Sequence, residues 1–264
     1  MEILDESLDL ARFWINVAGQ PHSLLMLDYD GTLAPFVVSR DRAVPYPGVR
    51  ERLETIIRGG RTRVVVVTGR SAGDILPLLG LDHAPEIWGS HGGERMMPDG
   101  SYRRLQLDEP LLRGLQAADE VIERGADTSH LEIKPLGRAF HWRGLPADEV
   151  RRIDETVAAP WREIAETSGL EMRQFDGGVE LRVPGVDKGH AVTTLLDEMG
   201  DGFAAAYLGD DRTDEDAFSA LGDRGLPVMV RTEYRSTGAR LWLQPPEDLI
   251  EFLQHWIDIT DLEA

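Results

Sequence analysis

The sequence predicts an α/β protein with a parallel sheet at its core and one inserted α+β unit. Three observations carry that expectation. Apolar runs of strand length at 24–27, 62–67 and 204–208 alternate with stretches of helical spacing, and an unbroken apolar run suits a strand covered on both faces. Each run ends in a small polar turn: DYDGT at 28–32, TGR at 68–70 and GDD at 209–211. Between about 101 and 183 the alternation gives way to helix-strand-strand, repeated once, which reads as a separate four-stranded α+β unit. The expected division is a core of 1–100 with 184–264 and an insertion of 101–183.

The stretch LLMLDYDGTL at 24–33 organises the rest. Strand geometry would point Asp28 and Asp30 to one side, and Gly31 lets the backbone turn away where other residues resist. In open α/β sheets ligands bind at the carboxyl ends of the strands. A carboxylate there can attack phosphorus, and a second one can protonate a leaving oxygen and later activate water. Asp is also common in plain turns; the apolar strand in front of DxDGTL favours the chemical reading.

Composition narrows the function classes. The chain has 264 residues, 42% of them hydrophobic, enough for one large or two modest domains. Cysteine is absent, which excludes disulfides and thiol chemistry and is compatible with a reducing cytoplasm. The acidic start, MEILDESLDL, lacks the basic flank of an export signal, and no apolar run has the length of a membrane span. A net charge of −19 argues against nucleic acid and anionic membranes as partners. A phosphate site must then rely on local Lys, Arg, backbone N–H groups and a metal ion.

In chain order, residues 3–18 have helical spacing that Pro21 ends. Pro35, Pro45 and Pro47 mark an irregular loop, and 49–57 reads as helix. The β-branched strand 62–67 delivers Thr68-Gly69-Arg70-Ser71. A hydroxyl there suits a phosphate oxygen or caps the next helix; with DxDGTL upstream, the phosphate role is preferred for Thr68. Arg70 binds an anion or covers the surface. Residues 86–90 read as a strand leading to His91 and Glu94, and His91 has no partner at zinc spacing.

Within the insertion, 111–122 and 146–164 read as helices, and 131–134, 138–143, 170–175 and 179–183 as strands, the last two joined across Asp176-Gly177-Gly178. Parity puts Glu132 and Lys134 on one strand face, and His141 and Arg143 on one face of the next, with Phe140 and Trp142 opposite. The apolar face suits packing on helices; the polar face is either solvated or offers hydrogen bonds to a sugar. Beyond it, Lys188 at a helix start could neutralise an acid cluster. The strand 204–208 ends in GDDRTDED, five acids in seven residues from Asp210, which repel one another without a cation. Runs at 228–230 and 241–243 read as the last strands and 248–257 as a closing helix.

With DYDGT at 28–32, TGR at 68–70, DKG at 187–189 and GDDRTDED at 209–216, the chain resembles the haloacid dehalogenase (HAD) superfamily of phosphohydrolases. GSHGGE at 89–94, LEIKPLGRAFHWR at 131–143 and VELRVPGVDKG at 179–189 make it similar, within that superfamily, to the trehalose-phosphatase family. Gly93, Trp142 and Val183 depart mildly from the usual pattern. The resemblance implies a HAD-like Rossmannoid core with an inserted C2-type cap, Mg²⁺ as cofactor, and trehalose 6-phosphate as substrate and small-molecule partner. It implies Asp28 as nucleophile and metal ligand, and Asp30 as general acid/base with its backbone carbonyl on the metal. Thr68 and Lys188 would hold phosphate oxygens. Asp210 would ligate the metal, with Asp211 and Asp214 in support. Gly31, Thr32, Arg70, His91, Glu94, Glu132, Lys134, His141, Arg143 and Glu180 would face the substrate. Other sugar phosphates, such as sucrose phosphate or mannosyl-3-phosphoglycerate, remain alternatives, as does a non-catalytic sugar-phosphate-binding module.

Overall fold

The LLML run becomes the interior of a broad sheet. The computed structural model describes residues 1–37, 40–175 and 177–261. In chain order the first stretch forms β1 (Glu2–Ile3), α1 (Leu10–Gly19), β2 (His22–Leu27), α2 (Val49–Gly59), β3 (Thr62–Val67), α3 (Ala72–Leu79), β4 (Glu86–Gly89), β5 (Glu94–Met96) and β6 (Tyr102–Arg104). Then follow α4 (Glu109–Gly125), β7 (Leu131–Lys134), β8 (Gly137–His141), α5 (Ala147–Ile153), α6 (Ala159–Ser168), β9 (Glu171–Phe175) and β10 (Gly178–Arg182). The chain closes with α7 (Lys188–Met199), β11 (Phe203–Gly209), α8 (Asp214–Leu221), β12 (Leu226–Val230), β13 (Leu241–Leu243) and α9 (Glu247–Thr260). Two units result: Met1–Arg104 with Asp187–Ala264, and Leu105–Val186.

In the first unit the sheet order is β1-β13-β12-β11-β2-β3-β4-β5-β6. The strands from β13 to β4 are parallel, and β1, β5 and β6 join antiparallel at the edges. Alternation explains why the central strands are apolar throughout. Leu25, Leu27, Val64, Val66, Ala206 and Leu208 face α1, α2 and α9, packing with Trp14, Leu53, Phe252 and Trp256. Leu24, Met26, Val65, Val67, Ala205 and Tyr207 face α7 and α8, packing with Val192, Leu195 and Phe218. A strand covered on both sides has no polar position to spare.

The expected helix over 3–18 begins only at Leu10. The Asp9 carboxylate accepts from the Arg12 N–H at 2.9 Å and caps the helix there. Residues 2–3 pair with β13 instead. The β5–β6 hairpin and helix α8 were not expected from the sequence. The acids that read as an ion-binding loop also start α8, where Asp214, Glu215 and Asp216 occupy the first turn and complement the helix dipole. The helix expected over 146–164 is α5 and α6 joined by a π-helical stretch, Asp154–Ala158. Pro160 has no N–H to continue the regular ladder.

The second unit holds an antiparallel sheet in the order β7-β8-β10-β9. Phe140, Val179 and Leu181 pack on Leu115, Ala118 and Ile122 of α4 and Trp161 of α6. The turn expected at Asp176-Gly177-Gly178 includes Asp176, which lies outside the described residues. Among the described residues, no helix is long and apolar enough to cross a membrane.

Candidate active site

Strands β2, β3 and β11 are parallel neighbours, so their carboxyl ends share one edge of the sheet. Asp28 stands just past β2, its N–H donating to the Leu208 carbonyl at 2.8 Å. Thr68 follows β3 directly and Asp210 follows β11. Helix α7 starts at Lys188 because the Asp187 carboxylate caps it, accepting from the His190 N–H at 2.9 Å.

These ends converge on one buried cluster. The Lys188 Nζ donates to Asp28 Oδ1 at 2.6 Å and to Asp214 Oδ1 at 2.7 Å. Thr32 Oγ1 donates to Asp28 Oδ2 at 3.1 Å. The Tyr207 hydroxyl donates to Asp214 Oδ1 at 2.7 Å, and the N–H groups of Asp210 and Asp211 donate to Asp214 Oδ2 at 3.0 Å. Asp28, Asp210 and Asp214 each place a carboxylate oxygen within 4.8 Å of the others. Gly31 makes this approach possible: its φ is +86°, and a Cβ there would sit 2.3 Å from Asp210 Oδ2.

Burial dominates the electrostatics. It pushes Asp28 up to about 7, with Lys188 opposing and Asp214 adding to the rise. It pushes Asp210 up to about 9, reinforced by Asp28, Asp214 and Asp211. Burial also works against the Lys188 charge, but Asp214 and Asp28 outweigh it and raise that pKa. The Asp210 carboxylate accepts no hydrogen bond among the described residues; its ion-pair partner is Arg231, 3.9 Å away. An almost wholly buried carboxylate among other acids, with its guanidinium partner as far off as 3.9 Å, is a place where a bound cation would relieve the repulsion. The donor set is all hard oxygen, the kind Mg²⁺ takes, so the residues fit the ion that the motifs imply.

The trehalose-phosphatase family model matches residues 26–241.

The chain belongs to that family.

It is 34% identical over 246 residues to the trehalose-phosphate phosphatase of Mycobacterium marinum, covering 88% of this chain and 60% of that one. The chain thus spans about three fifths of the length of that curated relative. The Aspergillus fumigatus trehalose-6-phosphate phosphatase structure superposes with a TM-score of 0.72 at 24% identity, covering 95% of this chain and 98% of the other. A haloacid dehalogenase-like hydrolase from Bacteroides thetaiotaomicron matches with a TM-score of 0.64 at 16% identity, covering 88% and 98%. The fold is therefore the HAD-like one that the motifs implied.

In this family member the remaining predicted residues fall into three groups. Asp30 stands apart from the carboxylate cluster. Its side chain is held by Arg70, whose Nε donates to Oδ2 at 2.6 Å and whose Nη2 donates to Oδ1. Arg70 also lies 5.8 Å from the centre of the Tyr29 ring, and its N–H donates to Thr68 Oγ1 at 3.2 Å. His91 donates its N–H to the Thr68 carbonyl at 2.9 Å. The His91 ring lies so close over Gly69 that a Cβ there would come within 2.6 Å of it. Ser90 and His91 both have positive φ, a strained pair of non-glycine residues at the site's edge.

Two predicted residues are spent on backbone. Glu94 is buried and accepts from the Ala72 N–H at the start of α3, at 3.0 Å. Asp211 Oδ1 takes the N–H and hydroxyl of Thr213 at 2.6 and 2.7 Å, so it shapes the loop rather than joining the cluster. Burial works to raise Asp211, but Lys188 and the Thr213 donors hold its carboxyl below the usual value. In the second unit, His141 Nε2 meets Glu132 Oε2 at 3.0 Å and Lys134 Nζ meets Glu180 Oε1 at 2.7 Å. Arg143 lies beside Gly177, just beyond β8. Register places Glu132, Ala139 and Glu180 in one row on that sheet face.

Sequence reasoning passed over Tyr207 and Arg235. The Arg235 guanidinium donates to the carbonyls of Asp210 and Asp211 and to Glu215, and so braces the acidic loop. Its place in an irregular stretch between β12 and β13 left no pattern to read.

Proposed function

We propose that this chain is a Mg²⁺-dependent phosphatase that releases trehalose from trehalose 6-phosphate through an aspartyl-phosphate on Asp28. The observation that carries the proposal is the buried Asp28 carboxylate, held by Lys188 and facing Asp210 at adjacent strand ends. The name of the mycobacterial relative supports the substrate.

Asp28 attacks phosphorus in line, forming an Asp28–phosphorus bond as the bond to the sugar oxygen breaks. Asp30, whose two carboxylate oxygens Arg70 holds in this structure, delivers a proton to the departing oxygen once one of them is released and protonated. Asp30 then takes a proton from water as the water attacks phosphorus, which frees Asp28 and phosphate. Thr68 and Lys188 hold phosphate oxygens throughout. Asp28, Asp210 and the Asp30 backbone carbonyl would hold Mg²⁺, with Asp211 and Asp214 behind them. The bound ion supplies positive charge that offsets repulsion between Asp28 and the phosphate dianion.

In this reading Leu105–Val186 is the specificity cap, and Glu132, Lys134, His141, Arg143 and Glu180 hydrogen-bond the sugar. Arg70 and His91 line the approach, with Gly31 and Thr32 next to the phosphate, while Glu94 acts at one remove by holding the start of α3. The test is phosphate release from trehalose 6-phosphate with and without Mg²⁺. Activity should require the ion and vanish in Asp28→Asn; a fully active Asp28→Asn protein refutes the nucleophile. Faster turnover of sucrose phosphate or mannosyl-3-phosphoglycerate would refute the sugar.

A further inference from the structure

A buried hydroxyl that bonds directly to the acid cluster has no part in the mechanism so far. Tyr207 lies on β11 with its ring on the α7–α8 face, edge-on to Phe218 with ring centres 5.8 Å apart. Its side chain is completely buried. The hydroxyl donates to Asp214 Oδ1, the same oxygen that Lys188 reaches. Asp214 Oδ2 is taken by two backbone N–H groups. A carboxylate offers about four acceptor sites, and these four donors fill them. Asp214 sits among the acids but has no lone pair left for an ion. What it holds is Lys188.

Lys188 is shared between Asp28 and Asp214 at nearly equal distances, 2.6 and 2.7 Å. That balance depends on how strongly Asp214 attracts the ammonium. A donor already on Oδ1 weakens the attraction; a bare Oδ1 would strengthen it and draw Lys188 away from Asp28. We propose that Tyr207 is a positioning residue for phosphoryl transfer: its hydroxyl occupies part of Asp214 Oδ1 and so keeps Lys188 beside Asp28, where it can hold a phosphate oxygen. This rests on the phosphatase reading above.

The test compares Tyr207→Phe with a packing control, Phe218→Leu, which disturbs the same ring contact but leaves the hydroxyl. Three quantities are measured: kinetics on trehalose 6-phosphate, inhibition by vanadate as a phosphoryl mimic, and Mg²⁺ affinity by calorimetry. Tyr207→Phe should lose about tenfold in kcat and about tenfold in vanadate affinity, the scale of one hydrogen bond to a charged group. Because Lys188 holds the phosphate of the bound substrate as well as of the transferring group, KM should rise too, while Mg²⁺ affinity stays within about twofold of wild type. Phe218→Leu should lower Tm without moving kcat or vanadate affinity.

Wild-type kcat and vanadate affinity in Tyr207→Phe would overturn the proposal. So would a parallel loss of Mg²⁺ affinity, or equal kinetic losses in the two variants, since either marks a merely structural role. A wild-type protein that binds vanadate yet releases no phosphate from trehalose 6-phosphate would refute the substrate reading alone; vanadate affinity would then decide on Tyr207. A wild-type protein that binds no vanadate with Mg²⁺ would overturn both.

Discussion

Replacing Asp210 by Asn should stabilise the metal-free protein and abolish its response to Mg²⁺. The Asp210 side chain is 4% exposed and its pKa is raised from 3.8 to about 9, chiefly by burial and then by Asp28, Asp214 and Asp211. A carboxyl raised in the folded state binds its proton more tightly there than in the unfolded chain. Its stability contribution is therefore complete below pH 3.8 and is lost as pH rises toward 9. Each pH unit across that window costs about 1.4 kcal/mol, so the ceiling at neutral pH is on the order of 4 kcal/mol. Relaxation and water entry reduce it, and a net gain of about 1–2 kcal/mol is expected for the neutral amide. For a chain of this size that is a rise of roughly 2–8 °C in Tm. The assay is thermal unfolding at neutral pH in a chelator, repeated with Mg²⁺. Wild type should gain about 2.7 kcal/mol when the ion is at a hundredfold its Kd, and Asp210→Asn should gain almost nothing. A variant less stable than wild type in the chelator, or one that keeps the Mg²⁺ shift, would refute the reasoning.

Gly31→Ala should cost about 1–3 kcal/mol of stability through its positive φ and lower kcat at least about tenfold, because the new methyl displaces the Asp210 carboxylate; unfolding and initial-rate measurements check both. Glu198 is held down to about 2, first by its hydrogen bond to Arg95, against burial, and also by Arg63. A depressed carboxyl stabilises above its unfolded value, so this contribution is present above pH 4.5 and is lost as pH falls toward 2. Glu198 is about a third exposed, and screening limits the effect to about 1 kcal/mol or less. Acid unfolding curves of Glu198→Gln should therefore diverge from wild type above pH 4.5 and converge below it.

What could be read before the structure was the part carried by period and punctuation. A run such as LLML or the four valines of β3 has no polar side, which suits a strand sandwiched between helix layers, and the turn behind it falls at the ligand edge. Asp28, Thr68 and Asp210 were legible for that reason. The N-terminal helix is shorter than its period suggests: Ile3 and Leu4 fit the spacing, but the Asp9 cap sets the start. Strands β5 and β6 have three residues each, too few to show a period. The Asp30–Arg70 pair joins residues 40 apart in sequence, and no local signal reports such a contact. Tyr207 was hidden by its surroundings: an aromatic residue in an alanine-rich strand reads as core filling.

Register links that filling to the chemistry. Leu208 pairs with Leu27 and Tyr207 with Met26, so Asp28 and the acidic loop emerge side by side from β2 and β11. The alternation that sends Leu208 to one helix layer sends Tyr207 to the other. A slip of one residue would exchange these faces. Leu208 would be driven against α7 and α8, and the Tyr207 hydroxyl would leave Asp214. Lys188 would then share Asp214 with one competitor fewer. The apolar packing on both sides of β11 therefore does more than stabilise the sheet: it sets which oxygen of Asp214 the tyrosine reaches, and through that oxygen how much of the Lys188 charge remains at Asp28.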